Sequence, residues 1–128
     1  MKATAQVDLI VATDDDLKNI LWKETDESLN KIIRTDLTVH SAGVARLAST
    51  GSNFTIPFGD IITGKILFIS SDVEVGVKID ASATAVTVSP SGSYRGFLML
   101  HGSFASALVV KPSTGTANVR YCVVGLET

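Results

Sequence analysis

The stretch TGKILFISSDVEVGVKID, Thr63 to Asp80, decides the fold class. In its second half Val73, Val75, Val77 and Ile79 fall on one face, and Asp72, Glu74, Gly76, Lys78 and Asp80 on the other. A period of two belongs to a strand with one buried and one wet face. In its first half Ile66-Leu67-Phe68-Ile69 is apolar on both faces. Such a strand is expected to be covered on both sides, by a second sheet, a helix or another subunit. Ser70-Ser71-Asp72 reads as a tight turn, so the expectation is a central hairpin whose first strand is the more deeply buried.

Downstream, short strands alternate with small punctuated turns. Asp80-Ala81-Ser82-Ala83 is turn-like, Thr84–Ser89 is a strand, and Pro90-Ser91-Gly92-Ser93 stops it. Tyr94–His101 is apolar on both faces at Phe97–Leu100, and Gly102-Ser103 is expected to turn the chain. Ala105–Lys111 and Ala117–Val124 complete the set, separated by Pro112-Ser113-Thr114-Gly115.

Upstream the signals are weaker. Ala3–Ala12 reads as one strand, ended by Asp14-Asp15-Asp16. Thr13 could cap a short helix carrying Leu17, Ile20 and Leu21, the rival being a loop that enters a strand at Lys18–Trp22. Ser28–His40 mixes helical and strand spacing, with β-branched residues from Ile32 to Val39 favouring a strand. Ser41–Asn53, rich in Gly, Ser and Ala, reads as a connection. Phe54, Ile56 and Phe58 alternate around Pro57, which confines that strand to an edge.

Eight or nine short strands with Gly, Ser and Pro punctuation predict an all-β, antiparallel sandwich or a small barrel. No long helical pattern recurs, which argues against a parallel α/β fold. A chain of 128 residues is read as one domain, residues 1–128, with residues 1–22 a candidate arm.

Composition narrows the function classes. The chain is 45% apolar and only 19% charged, with 11 basic and 13 acidic residues and a net charge of −2. There is no basic stripe of the kind nucleic-acid binding needs. No apolar run approaches the roughly 20 residues of a membrane-spanning helix, and Asp8 interrupts the only candidate leader. The apolar excess is therefore expected in a subunit interface rather than in lipid.

Catalytic residue types are sparse. His40 and His101 lie at strand ends without a carboxylate neighbour in sequence, and no G-x-S-x-G elbow accompanies them. Cys122 sits in an apolar strand, where a cysteine acts as a small hydrophobe. One cysteine and two distant histidines make no zinc spacing. Asp14-Asp15-Asp16 fails as an EF-hand loop, because Asn19 stands at the sixth position and Thr25 at the twelfth. Trp22, Tyr94 and Tyr121 could stack on a sugar; Phe54, Phe58, Phe68, Phe97 and Phe104 have no polar handle, and core packing is expected for most of the aromatics. No catalytic, cofactor-binding or metal-binding residue is assigned, and no cofactor is expected.

From Ile62 onward the chain resembles the small β-sandwich proteins of tailed-phage virions. The matching pieces are Ser70-Ser71-Asp72, Ala81–Ala85, Pro90-Ser91-Gly92, Gly102 and Thr114–Ala117. The resemblance implies a jelly-roll-like sandwich and a virion structural protein of the capsid decoration or cement type. It further implies a homo-oligomer, with a trimer favoured, partnered by the major capsid protein or another virion protein. The alternative is a tail or fibre component that binds a host-surface glycan. A hydrolase on a sandwich scaffold would need His40 or His101 to meet a nucleophile.

Overall fold

The computed structural model describes residues 1–7, 9–14, 16, 18, 20–24 and 31–128, with only the backbone described at Ile10, Trp22 and Glu24. The described chain is all-β and forms two compact units, Met1–Leu37 and Thr38–Thr128. Twelve strands are present among the described residues, more than the eight or nine expected.

The excess comes mainly from the first unit. The single expected strand over residues 3–12 divides into β1 (Ala3–Gln6) and β2 (Leu9–Ala12). β2 pairs with β3 (Ile20–Glu24), and β1 pairs with β4 (Lys31–Arg34), both antiparallel. No helix is found among the described residues. Ile20 and Leu21 lie in β3, while the Leu17 and Asn19 portion of the expected helix falls outside the described residues. Before β3 the Asp14 carboxylate accepts the Lys18 N–H at 3.0 and 3.1 Å, a local turn bond that delivers the chain into a strand.

The second unit contains β5 (Val39–Ala48), β6 (Phe54–Thr55), β7 (Thr63–Ser71), β8 (Val75–Ile79), β9 (Val86–Val88), β10 (Gly96–Phe104), β11 (Ala107–Val110) and β12 (Thr116–Leu126). They build two four-stranded antiparallel sheets, ordered β10-β7-β12-β5 and β6-β11-β8-β9. Counted from β5 as the first strand, these orders are 1-8-3-6 and 2-7-4-5, the interlocked Greek keys of a jelly roll. Leu67, Ile69, Val119 and Val123 from one sheet meet Val75, Val77, Val88 and Val109 from the other, all nearly inaccessible to solvent. Phe54 and Tyr121 join across the layers, with ring centroids 5.6 Å apart.

Three expectations are corrected here. First, β7 and β8 are not a hairpin. β7 bonds to β10 and β12, while β8 bonds to β11 and β9, so residues 72–74 carry the chain from one sheet to the other. The fully buried Ser71 hydroxyl donates to the Val73 carbonyl at 2.6 Å, shaping an arch rather than a two-residue reversal. Second, the presumed connection at residues 41–53 is mostly strand. β5 runs to Ala48 and pairs with β12 at ten positions, from Thr116↔Ala48 to Gly125↔Val39. Small residues suit it because a bulky partner lies opposite: a Cβ at Gly43 would stand 2.7 Å from the Tyr121 hydroxyl oxygen. Third, Gly102-Ser103 does not turn the chain. β10 continues to Phe104 through a register shift against β7.

A carboxylate latch secures the arch. Asp72 accepts the Asn118 backbone N–H at 2.7 Å and its side-chain amide at 2.9 Å, tying the arch to β12. The Asn118 side-chain amide, then its backbone N–H, hold the Asp72 carboxyl below the usual range. A lowered folded pKa gives stability that is fully present above the ordinary carboxylate pKa, about 4. That stability is lost as pH falls through the lower, folded value. Asp72→Asn is therefore expected to flatten part of the acid limb of stability. Urea midpoints at pH 7 and at pH 3 should differ less for the variant than for the parent. The change is modest because the group is exposed.

Candidate functional site: the outer face of the larger sheet

Alternation along each strand of β10-β7-β12-β5 sends one set of side chains inward and the other outward. The cross-strand register sorts the outward set into rows. Phe97, Ser70, Arg120 and Val44 form one, Met99, Phe68, Cys122 and Ala42 the next, and His101, Ile66, Val124 and His40 the third. Eight of these twelve side chains are apolar or thiol. Val44 is 69% exposed, Phe97 68% and Phe68 40%. The Phe68 and Phe97 rings stack at 6.5 Å with 25° between their planes. The opposite sheet presents a smaller and more mixed outer surface, from Thr55, Leu108 and Lys78 to Val110, Gly76 and Thr87.

Arginines gather at one end of the apolar rows. Arg95 Nε donates to Ser70 Oγ at 2.7 Å, and its Nη2 donates to the Ser70 and Asn118 carbonyls at 3.2 and 2.8 Å. These bonds lay the guanidinium across the ends of β7 and β12. Arg120 and Arg46 are exposed and have no hydrogen-bond or ion-pair partner among the described residues. A shallow depression lies among Ala42, Val44, Phe68, Ser70, Arg95 and Arg120. Cys122 is half-buried beside it, and burial pushes its thiol pKa up.

The residues singled out in the sequence are scattered. His40 and His101 share a row but stand on the two edge strands, with Ile66 and Val124 between them. Three strand spacings separate them, about 14 Å, too far to share a proton. Tyr121 points inward against Phe54 and Gly43. Tyr94 is 79% exposed, beside the isolated bridge it makes with Ser91. Trp22 belongs to the other unit, and its side chain lies outside the described residues. Asp14 serves the turn before β3, while Asp15 also lies outside. No group of three or more His, Cys, Asp or Glu that could hold a metal ion occurs among the described residues.

Core packing, expected for most of the aromatics, holds for three of the five phenylalanines and not for Phe68 and Phe97. Phe54, Phe58 and Phe104 pack in or against the core cluster, and Phe58 and Phe104 meet edge to face at 6.0 Å. The signal for the other two was the doubly apolar runs Ile66–Ile69 and Phe97–Leu100. One face of each run fills the sandwich, and on the other Phe68 and Phe97 remain exposed while Ile66 is buried.

Fold and surface together define a jelly-roll unit with one uncovered apolar sheet face edged by arginines. No family model matches the chain, and no curated protein or solved structure is significantly similar to it.

Proposed function

We propose that this chain is a structural protein that acts by assembly, a homo-oligomeric decoration or cement protein on the head of a tailed phage. The observation that carries the reading is the exposed apolar face around Phe68, Phe97 and Val44. An uncovered apolar sheet face of this kind marks a place where another surface is meant to sit. Symmetric assembly covers such a face in every copy at once. The mechanism is mechanical. Apolar area removed from water stabilises the assembly by about 25 cal/mol per Å² before the cost of association is deducted. The resemblance of residues 62–125 to phage virion sandwiches supplies the location, and the jelly-roll strand order is compatible with it.

Light scattering at several concentrations tests the assembly, with a stable trimer or larger ring expected. Mass spectrometry of purified particles of the encoding phage should find the chain at a fixed ratio to the major capsid protein. A monomer at every concentration, absent from those particles, would remove the reading. Exposed Tyr94 keeps a tail or fibre role in view. Glycan binding lost on Tyr94→Ala would move the assignment there.

A further inference from the structure

We infer that the arginine-edged apolar face of each subunit is the docking site for the acidic first unit, Met1–Leu37, of a second copy. This rests on the homo-oligomer reading above and names its contact.

Charge separates the two units. Residues 1–37 hold eight acidic and five basic groups, a net of −3, whereas residues 38–128 hold five acidic and six basic groups, a net of +1. The two nets reproduce the −2 of the whole chain. On the outer face the positive charge is concentrated at Arg46, Arg95 and Arg120, and the three central rows contain no carboxylate. The nearby Asp72 carboxylate already accepts two bonds from Asn118. Stacking two such faces with their arginine ends together would therefore leave Arg46 and Arg120 unpaired. An acidic partner pairs them.

The first unit also needs a surface. Its described strands form two two-stranded ribbons, and such ribbons are marginal in water unless they pack on something. Leu9, Val11, Ile20, Leu21 and Ile33 are exposed on them. Ribbon and face thus match in both apolar character and charge.

Size fits as well. Four strands about 4.8 Å apart and about seven residues long present roughly 450 Å² of flat area, near half of what each partner gives to a standard interface. Every copy would both donate a first unit and receive one. Such a head-to-tail contact repeats around a closed ring, so each subunit makes it twice.

The test uses the full chain with Arg120→Lys, which keeps the charge and places a primary amine on the face. Equal amounts of ¹⁴N- and ¹⁵N-labelled protein are mixed, allowed to exchange and treated with a carbodiimide, which joins an amine to a touching carboxylate. The expected product links the amine at position 120 to a carboxylate within residues 1–37 of the other isotope. A link within one chain, a link only to carboxylates of residues 38–128, or an oligomer with no link at position 120 would each overturn the inference. In those cases the oligomer itself stands. A monomer by light scattering sinks the homo-oligomer reading as well. As an independent readout, Arg46→Glu with Arg120→Glu should weaken self-association at least tenfold and leave the circular dichroism spectrum unchanged. Unaltered association would count against the docking site.

Discussion

Gly125→Ala is expected to remove about 3 kcal/mol or more of folding stability, a large share of the roughly 5–15 kcal/mol that holds a domain of this size. A Cβ at this position would overlap the Thr63 carbonyl oxygen, and would stand 2.8 Å from Ile61 Cγ2 and 3.0 Å from Gly64 Cα. Backbone atoms cannot swing away as a side-chain tip can. The site lies at the register shift between β12 and β7, where Gly125 faces Gly64. Gly64 in turn lies under the Phe104 ring, where a Cβ would come within 2.8 Å of ring carbons. Phe104 is almost fully buried. Two glycines therefore let two central strands close beneath a core aromatic. Urea unfolding measures the effect, with Gly102→Ala as the control. Nothing lies within 4 Å of a Cβ there, so that change is expected within about 0.5 kcal/mol of the parent. A Gly125→Ala midpoint equal to the control's would contradict the close approach.

The second large effect concerns association rather than folding. Phe68→Ser combined with Phe97→Ser is expected to weaken self-association at least a hundredfold, about 3 kcal/mol. Aromatic anchors at the centre of an interface commonly carry that much. The two rings stack on each other outside the core, Phe97 68% and Phe68 40% exposed, so their loss should lower the thermal midpoint of the dilute protein far less than truncation of a core ring such as Phe104. Light scattering through a dilution series reads the first quantity, and thermal unfolding below the association range reads the second. Cys122, the chain's single cysteine, gives a further signal, since it lies next to Phe68 in the same row. Its reaction with a thiol probe should be slow in the parent assembly and fast in the variant. Equal association of parent and double variant would show that the face is not the contact.

What the sequence made legible was periodicity. The alternation Val73, Val75, Val77, Ile79 gives the inward face of β8, and the Pro57 edge strand is found at the edge, as β6. Periodicity does not name a strand's partner. A hairpin and an arch between sheets show the same alternation, so the Ser70-Ser71-Asp72 link was open to the wrong reading. Composition misled at residues 41–48 for a different reason. Gly43 is small because Tyr121, far away in sequence, fills the space above it. The candidate surface was half legible. Apolar residues on both faces of Ile66–Ile69 led to an expectation of cover on both sides, which Phe68 does not receive within the chain, and only the three-dimensional register gathers Phe68, Phe97 and Val44 beside Arg120. The arginine grouping has no local signal at all, because Arg46, Arg95 and Arg120 come from three distant segments.

The position of β12 governs the order in which the molecule can form. It lies between β5 and β7, yet it is synthesised after every other strand of the unit. Until it emerges, β5 has no partner in its sheet and β7 has one open side. Only β8 and β9 are paired as neighbours in sequence within this unit. Most of its pairings therefore close long loops, which places folding in the slow, millisecond-to-second regime of sandwich proteins. During that interval the open edges of β5 and β7 are templates for other chains. Overexpression should thus meet its bottleneck on the ribosome and just after release, and slower synthesis at lower temperature gives β12 time to insert before neighbouring chains meet.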